Sequence, residues 1–381
     1  MDSRRRAPLR RESRNRKGSA PRLRGRSAAF SKSPALPNPE EVNCSSFSRR
    51  NRRRGGTQAA FLLMQNTSSL NRNQHSAGDP PRFCAIVGPT ASGKTALSLA
   101  LAEKLGCGIL CVDAMQVYRG LDIGTAKPSR EEQRRVAHQG LDLASPLEYF
   151  SASRFAAHAG PLLAEAGRES RPWVLCGGTG LYFRALLEGL FEAPDADPAL
   201  REALLERARR DGPAVLYTEL EKRDPETAAR IHPQDARRIT RALEIIEQTG
   251  MPVSELRRRQ VRKPWIRQTL FLGLQRDRRD LLRRIEKRSR WMYDNGLIEE
   301  TRWLVDLGCG PQHTALQALG YKECREYVLG RKSRDEALEE TIRETGRYAR
   351  RQMNWFRNQF ETRWIDVDSC NNLYETVNVS L

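Results

Sequence analysis

No two of the eight cysteines stand as CxxC, and the five histidines show no HxxxH or similar spacing, so the ligand pattern of a structural zinc site is missing. No apolar run approaches the roughly 18 residues of a membrane span. The short AAFLLM at 59–64 lacks the flanks of a secretory signal. No internal repeat is evident. The folded part is therefore expected to be cytoplasmic and monomeric, with no membrane partner. Cysteines inside apolar runs such as GILCVD and WVLCGG are expected to be reduced, buried thiols.

Acidic residues are scarce at one end. Residues 1–80 hold 18 of the 66 Lys and Arg but 5 of the 47 Asp and Glu, so +13 of the net charge of +19 lies there. This segment is rich in Arg, Ser, Pro and Asn and poor in periodic apolar residues, which predicts a disordered basic extension. An organelle transit peptide, a loose RNA contact, and an upstream extension with translation starting at Met64 all fit its composition.

From Phe83 onward, short apolar runs alternate with amphipathic stretches. FCAIVG (83–88), GILCVD (108–113), PWVLCGG (172–178), QTLFLGLQR (268–276) and RWIDVD (363–368) read as buried strands. Helices are predicted at 93–106, 151–167, about 278–308 and 333–360. The fold class that follows is α/β, a parallel sheet core covered on both faces. The core spans 81–196 and 261–381, and 197–260 reads as a helical insertion domain.

Gly88-Pro89-Thr90-Ala91-Ser92-Gly93-Lys94-Thr95 fills every fixed position of a P-loop, after a predicted strand and opening a predicted helix. Its main-chain N–H groups and Lys94 suit a diphosphate, and the Thr95 hydroxyl suits Mg²⁺. Nothing in the loop requires a nucleoside. Asp113 is the one carboxylate at the carboxyl edge of the next strand, where ligands of open α/β sheets sit, and could hold metal or act as a general base. GGTG (177–180) presents the Thr179 hydroxyl in the same way. Basic residues concentrate at 257–290, with 14 Lys or Arg against 3 acids, as a nucleic-acid backbone requires. RRITR (237–241) and RYARRQMNWFR (347–357) add arginines, the latter with Trp355 and Phe356, which suit either base stacking or a core.

GPTASGKT, VDAMQVYRGLDIGTAKP, GGTGLY, RIHPQDARRITRALEI, ALQALGYKE and RRQMNWFR, in that order, resemble the tRNA dimethylallyltransferases over about 83–365. The resemblance implies Mg²⁺-dependent transfer of a prenyl group from dimethylallyl diphosphate to N6 of adenosine 37 in the tRNA anticodon stem-loop. It further implies that residues 88–95 hold the diphosphate and that Asp113 is the general base, with Lys94 and Thr179 in catalytic roles. Contacts to tRNA would come from Asp113, Ala114, Met115, Gln116, Thr179, Arg201, Arg237, Arg238, Ile239, Thr240 and Arg241. The same role would extend to Gln317, Ala318, Leu319, Gly320, Tyr321, Lys322, Arg350, Arg351, Gln352, Met353, Asn354, Trp355, Phe356 and Arg357. Two departures stand out. Ala114 replaces the family's usual Ser, and no zinc finger follows Trp364, which suits a bacterial-type enzyme.

Two other functions share the loop. An adenylate isopentenyltransferase would act on free AMP, ADP or ATP but needs neither an insertion nor a basic run. An RNA-binding ATP switch would hydrolyse ATP and be indifferent to Asp113→Asn.

Overall fold

The sheet is built from strands that are apolar on both sides, which is why it lies between two layers. In this computed structural model, which describes residues 82–169, 171–195, 197–260 and 263–369, six strands pair entirely in parallel. They are β1 (Phe83–Val87), β2 (Gly108–Cys111), β3 (His138–Gln139), β4 (Trp173–Cys176), β5 (Thr269–Gln275) and β6 (Arg363–Asp366), in the spatial order β3-β2-β4-β1-β5-β6. The expected extension at 1–80 and the chain after 369 lie outside the described residues.

Alternation sorts the strand residues between two cores. Phe83, Ala85 and Val87 join one cluster with Leu110, Leu175 and Phe271, while Cys84 and Ile86 join the other with Ile109, Val174 and Leu272. The second cluster is covered by α1 (Lys94–Leu105). The first is larger because several helices share it. Among them are α3 (Ala152–Arg168), α4 (Gly180–Leu187), α10 (Arg278–Asp294), α11 (Leu297–Asp306), α12 (Tyr321–Val328) and α13 (Arg334–Gln359), while a short α2 (Arg130–Arg135) precedes β3. Helix starts follow their caps: Ser151, Asp277 and Ser333 each accept a hydrogen bond from the first turn of α3, α10 and α13.

Between α4 and β5 the chain forms α5 (Pro198–Asp211), α6 (Pro213–Arg223), α7 (Pro225–Ala228), α8 (Ala236–Thr249) and α9 (Val253–Arg258), with no strand among the described residues. These helices enclose an apolar cluster of their own around Leu216, Leu220, Ile239 and Leu243.

Two expectations need correction. The single helix expected over 278–308 is two, α10 and α11, because Gly296 at φ 123° turns the chain between them. The basic run at 257–290, read as one concentrated stretch, is also split among several elements. Its described residues are divided among the end of α9, a 3-10 turn at Pro264–Gln268, Arg276 just after β5, and α10.

Candidate active site

The phosphate loop leaves β1 in the middle of the sheet, between β4 and β5, so it opens at the carboxyl edge flanked by other strand ends. Gly88 takes φ 135°, and a Cβ there would lie 2.6 Å from the Leu274 carbonyl oxygen, so no other residue fits the turn. Gly93 caps α1 without any side-chain hydrogen bond, and the first turn has no acidic residue, which leaves that helix N-terminus electropositive. Lys94 Nζ donates to the carbonyls of Gly88 and Pro89 at 3.1 and 2.8 Å. Burial pushes its ammonium down to about 8. Thr95 lies in the first turn of α1, and its carbonyl accepts from Ser98 Oγ at 2.9 Å.

Three arginine side chains from outside the motif grip this loop. Arg284 Nε donates to the Ala91 carbonyl at 3.0 Å, and Arg288 donates to the Thr90 hydroxyl. Burial, with the neighbouring Arg284 charge, lowers the Arg288 guanidinium to about 10. Both arginines lie four apart on α10 and so share one face. Arg276 Nε reaches the Ser92 carbonyl at 3.1 Å. The signal in sequence was the basic run itself; what it lacked was any mark of which arginines turn inward.

Asp113 follows β2. Its Oδ1 accepts from the main-chain N–H of Met115 at 2.9 Å and of Gln116 at 3.4 Å, which fixes the carboxylate at the head of the rim loop 113–128. The Ala114 N–H donates to Thr179 Oγ1 at 3.0 Å, joining that loop to the glycine turn after β4. Tyr348 on α13 borders the same space. Burial and then the Asp113 charge raise its phenol above the ordinary tyrosine value.

Gln352 couples the two remaining walls. Its Oε1 accepts from Thr90 N at 2.8 Å, and its Nε2 donates to the Gly178 carbonyl at 2.9 Å. A Cβ on Gly178 would overlap the Gln352 amide, so a larger residue there would displace that side chain. Asp113, Thr179, Lys94, Arg288 and Gln352 thus frame one cleft. The rim loop is stiffened from behind by Lys127, whose buried ammonium meets Asp122 at 2.6 Å and Asp142 at 2.7 Å. Gln116 Nε2 donates to the carbonyls of Thr125 and Ala126 at 3.1 and 3.2 Å.

The residues expected to face tRNA divide into exposed and interior groups. Arg237, Arg238, Gln317, Lys322, Arg350, Arg351, Asn354 and Arg357 are exposed. Gln317 and Lys322 border a cavity of about 310 Å³. Ala114, Met115, Leu319 and Met353 are half-buried. Ile239, Thr240, Ala318, Tyr321, Gln352 and Phe356 are buried, as is Gly320; Gln352 borders the cleft, and the other side chains pack the interior. Trp355 lies edge-on to Phe356 and Phe360 at ring-centroid separations of 5.2 and 5.4 Å, a core arrangement and not an open stacking platform. Arg201 and Arg241 both pair at 2.9 Å with Glu244, whose side chain is fully buried.

Among the described residues no group of three or more His, Cys, Asp or Glu could hold a metal ion, and Cys84, Cys107, Cys111, Cys176, Cys309 and Cys324 are free. No described helix is long and apolar enough to cross a membrane.

Comparison with known proteins adds relatives to this geometry. A family model described as IPP transferase matches residues 116–359, and one described as isopentenyl transferase matches 81–142. The chain is 44% identical over 287 residues to the tRNA dimethylallyltransferase of Geobacillus thermodenitrificans, covering 75% of this chain and 90% of that one. Against the tRNA dimethylallyltransferase of Geobacter sulfurreducens it is 43% identical over 292 residues, 76% and 93% of the two chains. The crystal structure of a tRNA isopentenylpyrophosphate transferase from Bacillus halodurans matches with a TM-score of 0.56 at 38% identity, over 78% of this chain and 93% of that one. A eukaryotic dimethylallyltransferase acting on tRNA matches with a TM-score of 0.63 at 26% identity, over 74% and 73%.

Proposed function

The chain belongs to the IPP transferase family, and from that premise we propose that it transfers the dimethylallyl group of dimethylallyl diphosphate to N6 of adenosine 37 in tRNA, releasing diphosphate. The observation that carries this reading is the hydrogen bond between Ala114 N and Thr179 Oγ1, which sets Asp113 beside the glycine turn in a cleft shared with the phosphate loop.

In the proposed reaction the N6 lone pair attacks the allylic carbon, the carbon–oxygen bond breaks, and the diphosphate departs with the bonding electrons. The proton released by N6 passes to the Asp113 carboxylate, already aimed by two main-chain N–H groups. Negative charge grows on the leaving group, so Lys94, Arg288 and the N-terminus of α1 stabilise the transition state more than the ground state. The Thr95 hydroxyl, in the first turn of α1 beside the phosphate loop, would be the protein ligand for Mg²⁺, an ion that proteins commonly hold together with substrate phosphates. When bound, Mg²⁺ would supply charge neutralisation to the leaving diphosphate. The exposed arginines of α8 and α13 would hold the anticodon stem-loop backbone, and an unpaired loop base enters the cleft at little cost.

The test incubates the protein with dimethylallyl diphosphate and Mg²⁺, adding either tRNA or AMP, and reads prenylated adenosine by mass spectrometry. Product on tRNA is expected. Product on AMP alone would reassign the acceptor, and no product on either would end the transferase reading.

A further inference from the structure

The rim loop is held from outside the cleft by one carboxylate. Glu300 on α11 faces three successive main-chain N–H groups. Its Oε1 accepts from Asp122 at 3.0 Å and Ile123 at 2.9 Å, and its Oε2 accepts from Ile123 at 3.1 Å and Gly124 at 3.2 Å. Successive N–H groups turned the same way form a concavity that favours an anion, and bonds to an ionised acceptor are about twice as strong as neutral ones. Tyr321, fully buried at the start of α12, donates its hydroxyl to Glu300 Oε2 at 2.6 Å and accepts from Gly124 N at 3.2 Å.

Hydrogen bonds continue inward from this anchor. The next two carbonyls, of Thr125 and Ala126, accept from the Gln116 side chain. Gln116 N and Met115 N in turn donate to Asp113 Oδ1. Ala126 sits at φ 51°, a left-handed conformation that alanine adopts only where its surroundings over-determine it. The loop is therefore held in a costly shape by bonds at both ends.

We infer that Glu300, oriented by Tyr321, is a positioning residue that sets the direction of the Asp113 carboxylate through Gln116. Neither side chain touches the reacting atoms. Without the carboxylate, the 122–124 turn loses its anchor, the Thr125 and Ala126 carbonyls shift, and the Gln116 main chain no longer holds Asp113 in place. The role of Asp113 in this inference rests on the prenyl-transfer reading; the link between Glu300 and the Asp113 turn does not.

The experiment uses the full chain with Glu300→Ala, Glu300→Gln, Tyr321→Phe and Gln116→Ala, the Tyr321→Phe change preserving the packing. Hydrogen exchange at the Met115 and Gln116 amides is expected to rise about tenfold in Glu300→Ala, less in Glu300→Gln, which keeps one oxygen acceptor, and measurably in Tyr321→Phe. With tRNA as acceptor, kcat should fall about 10- to 100-fold in Glu300→Ala while the KM for dimethylallyl diphosphate is unchanged. Adding Glu300→Ala to Gln116→Ala should cost little more, because both break the same path. Unchanged exchange at both amides, or full additivity of the two substitutions, would overturn the inference. A wild-type protein that transfers no prenyl group would defeat the proposed function instead, and the exchange data would still decide the link.

Discussion

Thr179 Oγ1 accepts the main-chain N–H of Ala114 at 3.0 Å, so the contact between the two strand-end loops uses the backbone at position 114 and the hydroxyl at position 179. This bears on the family's usual Ser at the position of Ala114, because the bond does not involve that side chain. Ala114→Ser should change kcat by no more than the effect of about 0.5 kcal/mol. Thr179→Ala should lower it far more, and Thr179→Ser should restore most of the loss. Steady-state kinetics with tRNA check all three. A large gain in Ala114→Ser would show that the missing hydroxyl matters.

Lys94 gives the donor site a pH dependence. Its folded pKa of about 8 lies below the ordinary 10.5 because burial disfavours the cation, so the proton is held below pH 8 and lost as pH rises through it. Diphosphate binding should therefore weaken above pH 8 more steeply than in a protein whose cation keeps its proton. Lys94→Arg is that protein, because its charge persists; its binding should be weaker at neutral pH but lack the extra loss above pH 8. Titration calorimetry with diphosphate at several pH values reads the two profiles.

Gln352→Leu removes both bonds that join the phosphate loop to the glycine turn and leaves Thr90 N and the Gly178 carbonyl without that partner. Each orphaned buried group costs about 1–3 kcal/mol. A lower Tm and weakened diphosphate binding should appear together. Unchanged diphosphate affinity would mean that the bridge stabilises the fold without shaping the loop.

Glu244 separates structural from RNA-facing arginines in the insertion. Replacing it by Leu leaves the half-buried Arg201 and Arg241 and the Asp197 N–H without their shared acceptor, at a cost of about 1–3 kcal/mol. Limited proteolysis should then cut within 197–260 while diphosphate binding survives. By contrast, Arg351→Ala should leave the fold intact and reduce the salt slope of tRNA binding by about one, because Arg351 is exposed. Arg201→Ala should not change that slope, since its charge is already answered by Glu244.

Five of the six strands and the phosphate loop could be read from sequence because their signals are local: apolar runs bounded by Gly or Pro, and fixed glycines. β3, His138–Gln139, escaped because two half-buried polar residues carry no strand pattern. Asp113 and Thr179 were legible as residues at strand ends. The clamps of Arg284, Arg288, Gln352 and Glu300 were not, since each acts on a loop far away in sequence, and only the packing of α10, α11 and α13 brings them there. The same cause moved Tyr321 and Phe356 from expected tRNA contacts to interior positions. A motif records which residue types recur together but not which way each faces.

The most direct test of prenyl transfer in this cleft is Asp113→Asn, assayed side by side for tRNA binding and for prenylated adenosine. The exchange removes the proton acceptor but retains the side-chain oxygen that receives Met115 N and Gln116 N. The expected result is tRNA affinity close to wild type with transfer reduced by about 100-fold or more, the scale of a lost general base. Transfer at the wild-type rate would contradict the assignment of Asp113 and, with it, this chemistry for the cleft.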